Sequence, residues 1–267
     1  MSSDKFQGKK QDLDTEVSRI EGMINSGKAR EFRNQTQSQY GYIRPKNAST
    51  MILVDGPQND PVILMGKRNK KLKFMPGALV FPGGSVDKFD GSVPASDELT
   101  DTTQARLIQA MRGKPTKRGA RALGVAAVRE VAEESGLLIG KSGDFQSNHD
   151  DWKDFCDKRI VPSLSALRLF SRAITPPGNP RRFDTWFFIA HASEVGFSPE
   201  GGFDPDGELE ELQWIRPKDA ITENTREITR VMLVELIQRL ERDPKLSDDY
   251  PAPHYQTSGN RFRKTII

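Results

Sequence analysis

Arg129-Glu130-Val131-Ala132-Glu133-Glu134-Ser135-Gly136-Leu137 is the stretch on which the reading of this chain turns. Wound as a helix, it sets Glu130 three and four residues before Glu133 and Glu134, so the three carboxylates share one face. Like charges at that spacing weaken a helix by a few tenths of a kcal/mol per pair. Arg129 is the only cation among the nine residues and cannot neutralise three acids. A solvated acidic face is the plain reading of such a triplet, but the flanks oppose it. Val125, Ala126, Val128, Val131 and Ala132 surround the acids with apolar side chains, which predicts a mostly buried helix. A buried helix that keeps three adjacent acids needs a compensating cation, and a divalent metal supplies one. Hard oxygen ligands select Mg²⁺ or Mn²⁺ over zinc. His149, His191 and His254 fall at no ligand spacing and read as ordinary histidines.

Working outward, Phe81-Pro82-Gly83-Gly84 precedes this helix, with Asp87 and Asp90 after it. A strand that ends in Pro-Gly-Gly can bring bare backbone close to a ligand or metal. Strands are expected at 51–54, 62–65, 78–81, 165–173, 182–190 and 208–215. Helices are expected at 99–111, at 120–135 with Gly136 at the stop position, and at 227–240. Strands and helices interleave irregularly, so the expected class is α/β (α+β), a mixed β-sheet sandwiched between helices. Residues 1–46 read as a polar arm on which Leu13, Val17, Ile20, Met23 and Ile24 mark a short amphipathic helix. Residues 47–243 form the expected body, 91–119 a helical insertion within it, and 244–267 a C-terminal tail.

Composition bounds the function. The 267 residues suffice for a core without disulfide staples, and the single cysteine, Cys156, excludes an intrachain disulfide. Forty basic residues against 37 acidic ones give a net charge of +3, which selects no partner class. No apolar run approaches the roughly 20 residues of a membrane span. The start, Met1-Ser2-Ser3-Asp4-Lys5, lacks the apolar core of a secretory signal, and Lys264-Thr265-Ile266-Ile267 is no Ser-Lys-Leu address. The expected location is cytoplasmic.

These residues resemble the Nudix hydrolases, whose signature is G-x5-E-x7-R-E-U-x-E-E-x-G-U, with U a bulky aliphatic. Arg129, Glu130, Val131, Glu133, Glu134, Gly136 and Leu137 match its second half at every fixed position. With Gly84 as the leading glycine, Asp90 stands where the signature has glutamate. Residues 91–128 then occupy the place of the x7 spacer, which makes 31 of them extra. An insertion inside the box resembles the coenzyme A diphosphatase branch of the family. Residues 77–84, 128–138, 174–176 and 180–185 agree with that branch, and the resemblance spans roughly residues 48–240.

The resemblance implies a Nudix fold and a Mg²⁺- or Mn²⁺-dependent pyrophosphohydrolase. Its substrate would be coenzyme A or an acyl-coenzyme A, cleaved to 3′,5′-ADP and an (acyl-)phosphopantetheine. Glu130, Glu133, Glu134 and the Gly83 carbonyl would hold the metal, Arg129 would orient the carboxylates, and Gly84, Arg181 and Arg182 would meet the substrate. A carboxylate would deprotonate the attacking water, with Glu134 or one of Glu208, Glu210 and Glu211 as the base. Arg112, Lys114, Lys117, Arg118 and Arg121, at the end of the insertion and the start of the helix, form a cationic run that could meet a 3′-phosphate or be a solvated face. The run has no interleaved aromatics, so nucleic acid is not the expected partner. A homodimer is expected on family grounds alone. Two other readings stay open: a Nudix hydrolase of ADP-ribose, NADH, a dinucleoside polyphosphate or capped RNA, and a non-catalytic ligand-sensing domain.

Overall fold

The computed structural model describes residues 42–72, 75–198, 207–258 and 261–267, with individual positions between 15 and 35. The apolar residues of the expected arm helix lie outside the described residues.

The chain begins the body with β1 (Lys46–Asp55), whose centre, Met51-Ile52-Leu53-Val54, is apolar at every position. Such a run has no polar face to give to water and demands cover on both sides. After β2 (Val62–Arg68), two short strands follow: β3 (Leu79–Val80), paired to β2, and β4 (Gly83–Ser85), paired to β1. Pro82-Gly83-Gly84, expected to stop a strand, therefore carries the chain from one neighbour to the next. Helix α1 (Asp101–Ala110) lies in the insertion and α2 (Lys117–Ser135) carries the acids. A small sheet is built from β5 (Leu138–Ser142), β6 (Ile160–Pro162) and a strand that follows later, with α3 (Lys153–Asp157) in the connection. Then come β7 (Arg168–Ile174), β8 (Phe183–His191), β9 (Val195–Phe197), β10 (Leu209–Ile215), α4 (Pro217–Ala220), α5 (Glu227–Arg242), β11 (Pro253–Ser258) and β12 (Arg261–Ile266).

The main sheet runs β10-β2-β1-β8-β7-β11-β12, and the small one β6-β5-β9. The main sheet is mixed: β1 and β8 run parallel, as do β7 and β11, while the other pairs are antiparallel. Alternation along the strands sends Met51, Leu53, Trp186 and Phe188 to the face covered by Val125, Val128 and Val131 of α2. Ile52, Val54, Phe187 and Ile189 go to the opposite face, under Val231, Met232, Leu233 and Leu236 of α5. Helix α2 begins one turn before the expected Ala120, because the Thr116 hydroxyl accepts from the Gly119 amide and caps it. It ends as expected at Gly136, whose φ of 71° is left-handed.

Residues 244–267 are no detached tail. β11 and β12 extend the main sheet through β7, pairing His254 with Arg172 and Tyr255 with Ala173. Tyr255 and Phe262 bury into the α5 core and stack on each other. The polar positions between them, Gln256, Thr257 and Arg261, hide this alternation in the sequence. The same segment anchors the insertion. Arg106 of α1 donates to the carbonyls of Asp248, Tyr250 and Ile267 at 2.8, 2.9 and 3.0 Å, and Thr103 Oγ1 donates to Asp248 at 2.5 Å.

Candidate active site

The second half of α2 faces β4 and the 3-10 turn at 90–92. At their junction lies Arg129, only 3% exposed, with every N–H engaged. Nε and Nη2 grip the Asp90 carboxylate at 3.1 and 3.2 Å. Nη1 donates to Glu130 Oε1 and Glu133 Oε1, both at 2.9 Å, and Nη2 also donates to the Ser85 carbonyl at 2.8 Å. One guanidinium thus binds two of the three acids to β4 and to the turn that opens the insertion.

Asp90 is the residue at which the signature failed, and the structure gives it a definite place. It is 1% exposed, holds Arg129 through two oxygens and accepts the Asp87 amide at 2.7 Å. The insertion starts one residue later and leaves this contact intact. The shorter side chain suffices because the 3-10 turn packs directly on α2.

The glycines of β4 are there for close approach. A Cβ on Gly84 would sit 2.3 Å from Glu130 Oε2, and one on Gly83 would sit 2.6 Å from the Ser49 carbonyl oxygen. Gly83 donates its amide to Glu134 Oε2 at 3.0 Å, so this backbone meets the acids as a donor.

Burial makes the acids reluctant to ionise together. Glu134, 8% exposed, has its pKa pushed up to about 8 by burial, partly offset by the Gly83 amide, with the Glu208 and Glu130 charges adding to the rise. Glu130 is pushed up to about 7, again chiefly by burial, against the pull of Arg129. Glu133 is raised by burial as well, although its side chain is 35% exposed.

The donor set fits a divalent cation. It is all oxygen, it holds more negative charge than Arg129 balances, and Glu130 Oε2, Glu133 Oε2 and Glu134 Oε1 accept no hydrogen bond among the described residues. One oxygen of each acid is drawn to Arg129 or Gly83, and no three His, Cys, Asp or Glu side chains among the described residues converge on one metal position.

Of the three downstream glutamates, the structure brings one to the acids. Glu208 is ion-paired with Arg68, and its charge reaches both Glu130 and Glu134. Glu210 instead accepts the Lys70 amide at 3.3 Å, and Glu211 lies 3.8 Å from Lys67. Arg68 was not singled out in the sequence. It ends β2 just before a lysine-rich loop, and only the pairing of β2 with β10 places it beside Glu208.

Arg182, expected to meet substrate, is 6% exposed and structural. Its Nε donates to the Thr175 carbonyl at 3.1 Å and its Nη1 to the Ile43 carbonyl at 2.6 Å, which ties the arm to the start of β8. Arg181 is exposed on the turn before that strand. The cationic run also divides. Arg118 donates to Ser92 Oγ at 2.6 Å, Arg121 pairs with Glu98 at 2.8 Å, and Arg112 donates to Gln256 Oε1 at 2.8 Å.

A family model described as the NUDIX domain matches residues 45–236. Nudix hydrolase 7 of Caenorhabditis elegans is 32% identical over 174 residues, covering 60% of this chain and 48% of that protein. Acyl-coenzyme A diphosphatase NUDT19 of Xenopus laevis is 25% identical over 237 residues, covering 70% of this chain and 60% of that protein. The matches thus span about half to three fifths of these curated relatives. A NUDIX hydrolase structure from Alicyclobacillus acidocaldarius superposes with a TM-score of 0.52 at 24% identity, over 74% of this chain and 96% of that one, a likeness of fold.

Proposed function

The chain belongs to the Nudix hydrolase family, which acts on phosphorus-containing anhydrides, and from that premise we propose that it cleaves the diphosphate of coenzyme A or an acyl-coenzyme A. The products are 3′,5′-ADP and an (acyl-)phosphopantetheine. The observation that carries the reading is the Arg129-centred cluster, which keeps three glutamates of one helix face beside a glycine strand. The coenzyme A assignment is supported by the likeness to the acyl-coenzyme A diphosphatase and by the insertion within the box.

Nudix hydrolases generally use divalent metal ions such as Mg²⁺. In this chain Glu130, Glu133 and Glu134 would hold Mg²⁺ or Mn²⁺, with the Gly83 carbonyl as a further ligand. When bound, the ion supplies positive charge against the diphosphate and its developing transition-state charge. Arg129 fixes the carboxylate rotamers, and Asp90 fixes Arg129. Gly84, whose missing Cβ leaves room for the Glu130 carboxylate, and the exposed Arg181 would contact the substrate. Glu208, half-exposed and held by Arg68, takes the proton of the attacking water as its oxygen bonds to phosphorus. The P–O bond to the leaving phosphate then breaks. Glu134 is less suited to that proton, because it is buried against the Gly83 amide. Among the described residues, no helix is long and apolar enough to cross a membrane.

Glu133→Gln should abolish Mg²⁺-dependent hydrolysis while leaving the circular dichroism spectrum unchanged, since Glu133 is the most exposed of the three acids. Unchanged turnover would reject Glu133 as an essential ligand. Coenzyme A, an acyl-coenzyme A, ADP-ribose and NADH, compared by chromatography of the phosphate products, test the substrate. Brisk ADP-ribose turnover with none of coenzyme A would remove the coenzyme A reading.

A further inference from the structure

β12 is the last strand of the main sheet, so one of its long edges has no strand beside it. Two contacts fix which backbone groups that edge presents. The Ile267 amide donates to the Ala252 carbonyl at 2.9 Å, which turns the odd-numbered residues of β12 toward β11. Pairing alternates along an antiparallel strand, so Phe262, Lys264 and Ile266 turn their N–H and C=O groups outward. At Phe262 those outward groups are taken. Its amide donates to Asn25 Oδ1 at 2.7 Å, and Asn25 Nδ2 donates to its carbonyl at 3.3 Å. The side-chain amide of Asn25 thus does at Phe262 what a neighbouring strand would do. The outward groups of Lys264 and Ile266 have no hydrogen-bond partner among the described residues and remain a template for a further strand.

The order of these residues fits the edge to a second copy of itself. Antiparallel pairing about a two-fold axis at Lys264 sets each Phe262 opposite the Ile266 of the other copy and the two Lys264 residues opposite each other. Every one of these pairs faces its partner with outward groups and can exchange both of its bonds. At the intervening positions Arg263 opposes Thr265 and Arg261 opposes Ile267, so no guanidinium directly faces another. Each Lys264 is ion-paired with its own Glu235, which tempers the one like-charged pair. Ile266, 58% exposed, gains cover in the pairing. With Asn25 in place, both Phe262–Ile266 pairs are blocked and only the Lys264 pair remains.

We propose that β12 is a latent pairing edge for a second copy of this chain, and that Asn25 is the strap that keeps it closed. Asn25 bonds only to outward groups, so it can lift without breaking the β11–β12 ladder. The inference goes beyond the diphosphatase reading and does not depend on it.

The test combines sedimentation velocity over a concentration series with hydrogen exchange at the Phe262 amide, read by nuclear magnetic resonance in dilute solution. Relative to the full chain, Asn25→Ala should speed exchange at Phe262 at least about tenfold and raise the association constant by at least as much, the worth of one freed backbone pair. Adding Ile266→Pro removes an outward donor at a sheet edge, where proline is tolerated. The double variant should return to the association of the full chain while its Phe262 amide stays fast. Unchanged exchange in Asn25→Ala would show that Asn25 does not close the edge and would overturn the proposal. Fast exchange without added association would overturn it as well. Added association that survives Ile266→Pro would place the contact on another surface and reject β12 as the pairing edge.

Discussion

Arg129 and Asp90 form a pair with almost no access to water, at 3% and 1% exposure, so each is held to the other by the cost of leaving a charge unmatched. Asp90→Ala strands the guanidinium and should lower stability by about 3 kcal/mol. Turnover should fall as well, because Arg129 then no longer fixes Glu130 and Glu133. Asp90→Glu restores the residue of the family signature but forces a methylene into a filled site. It should cost about 1–3 kcal/mol in spite of matching the signature. Urea midpoints and turnover on the two variants check both expectations; a neutral Asp90→Glu would show that the 3-10 turn yields more readily than its packing implies.

At the scale of elements, β11 carries a pH dependence. His254 is 9% exposed with Nε2 unpartnered, and burial together with the Arg172 charge lowers its pKa to about 4. Arg112 adds to the lowering and Asp184 opposes it. The unfolded chain, with histidine near 6.5, binds this proton more readily than the folded one. Stability from this site is therefore present above about 6.5 and lost as pH falls toward 4. Urea midpoints taken across that window should drop in the wild-type chain and drop less in His254→Gln. An identical slope in both would place the dependence on other groups. The β11 pairing that buries His254 also explains why it reads as ordinary in the sequence: its neighbours Arg172, Asp184 and Arg112 come from β7, β8 and the insertion.

Over the whole molecule, the insertion and the C-terminal segment secure each other, although both lie outside the signature. Deleting residues 250–267 removes Tyr255 and Phe262 from the α5 core, each a loss of about 3–5 kcal/mol. It also removes the Tyr250 and Ile267 carbonyls that anchor Arg106. The truncated chain should fail to fold cooperatively. In a milder variant, Arg106→Ala, hydrogen exchange should quicken in α1 ahead of α2. Equal exchange in the two helices would mean that α1 is held by its apolar contacts alone.

The α2 helix, its Gly136 stop, the strand at 51–54 and the closing helix α5 were legible because each rests on local periodicity or on a cap within a few residues. The membership of Arg129, Glu130, Glu133 and Glu134 in one face was legible for the same reason. Asp90 was ambiguous, since 38 residues separate it from Arg129 and only folding closes that distance. Glu208 could not be told from Glu210 and Glu211 until the bulge in β10 and the pairing with β2 set which of them lies beside Arg68. Arg182 showed its charge in the sequence but not the carbonyls that consume it. The sequence by itself determined the class of chemistry, because three acids on one apolar helix face pose a charge problem that local spacing already states. The tertiary structure alone decided which distant partners answer that problem, because contacts between strands depend on register and on long-range closure, which no local pattern encodes.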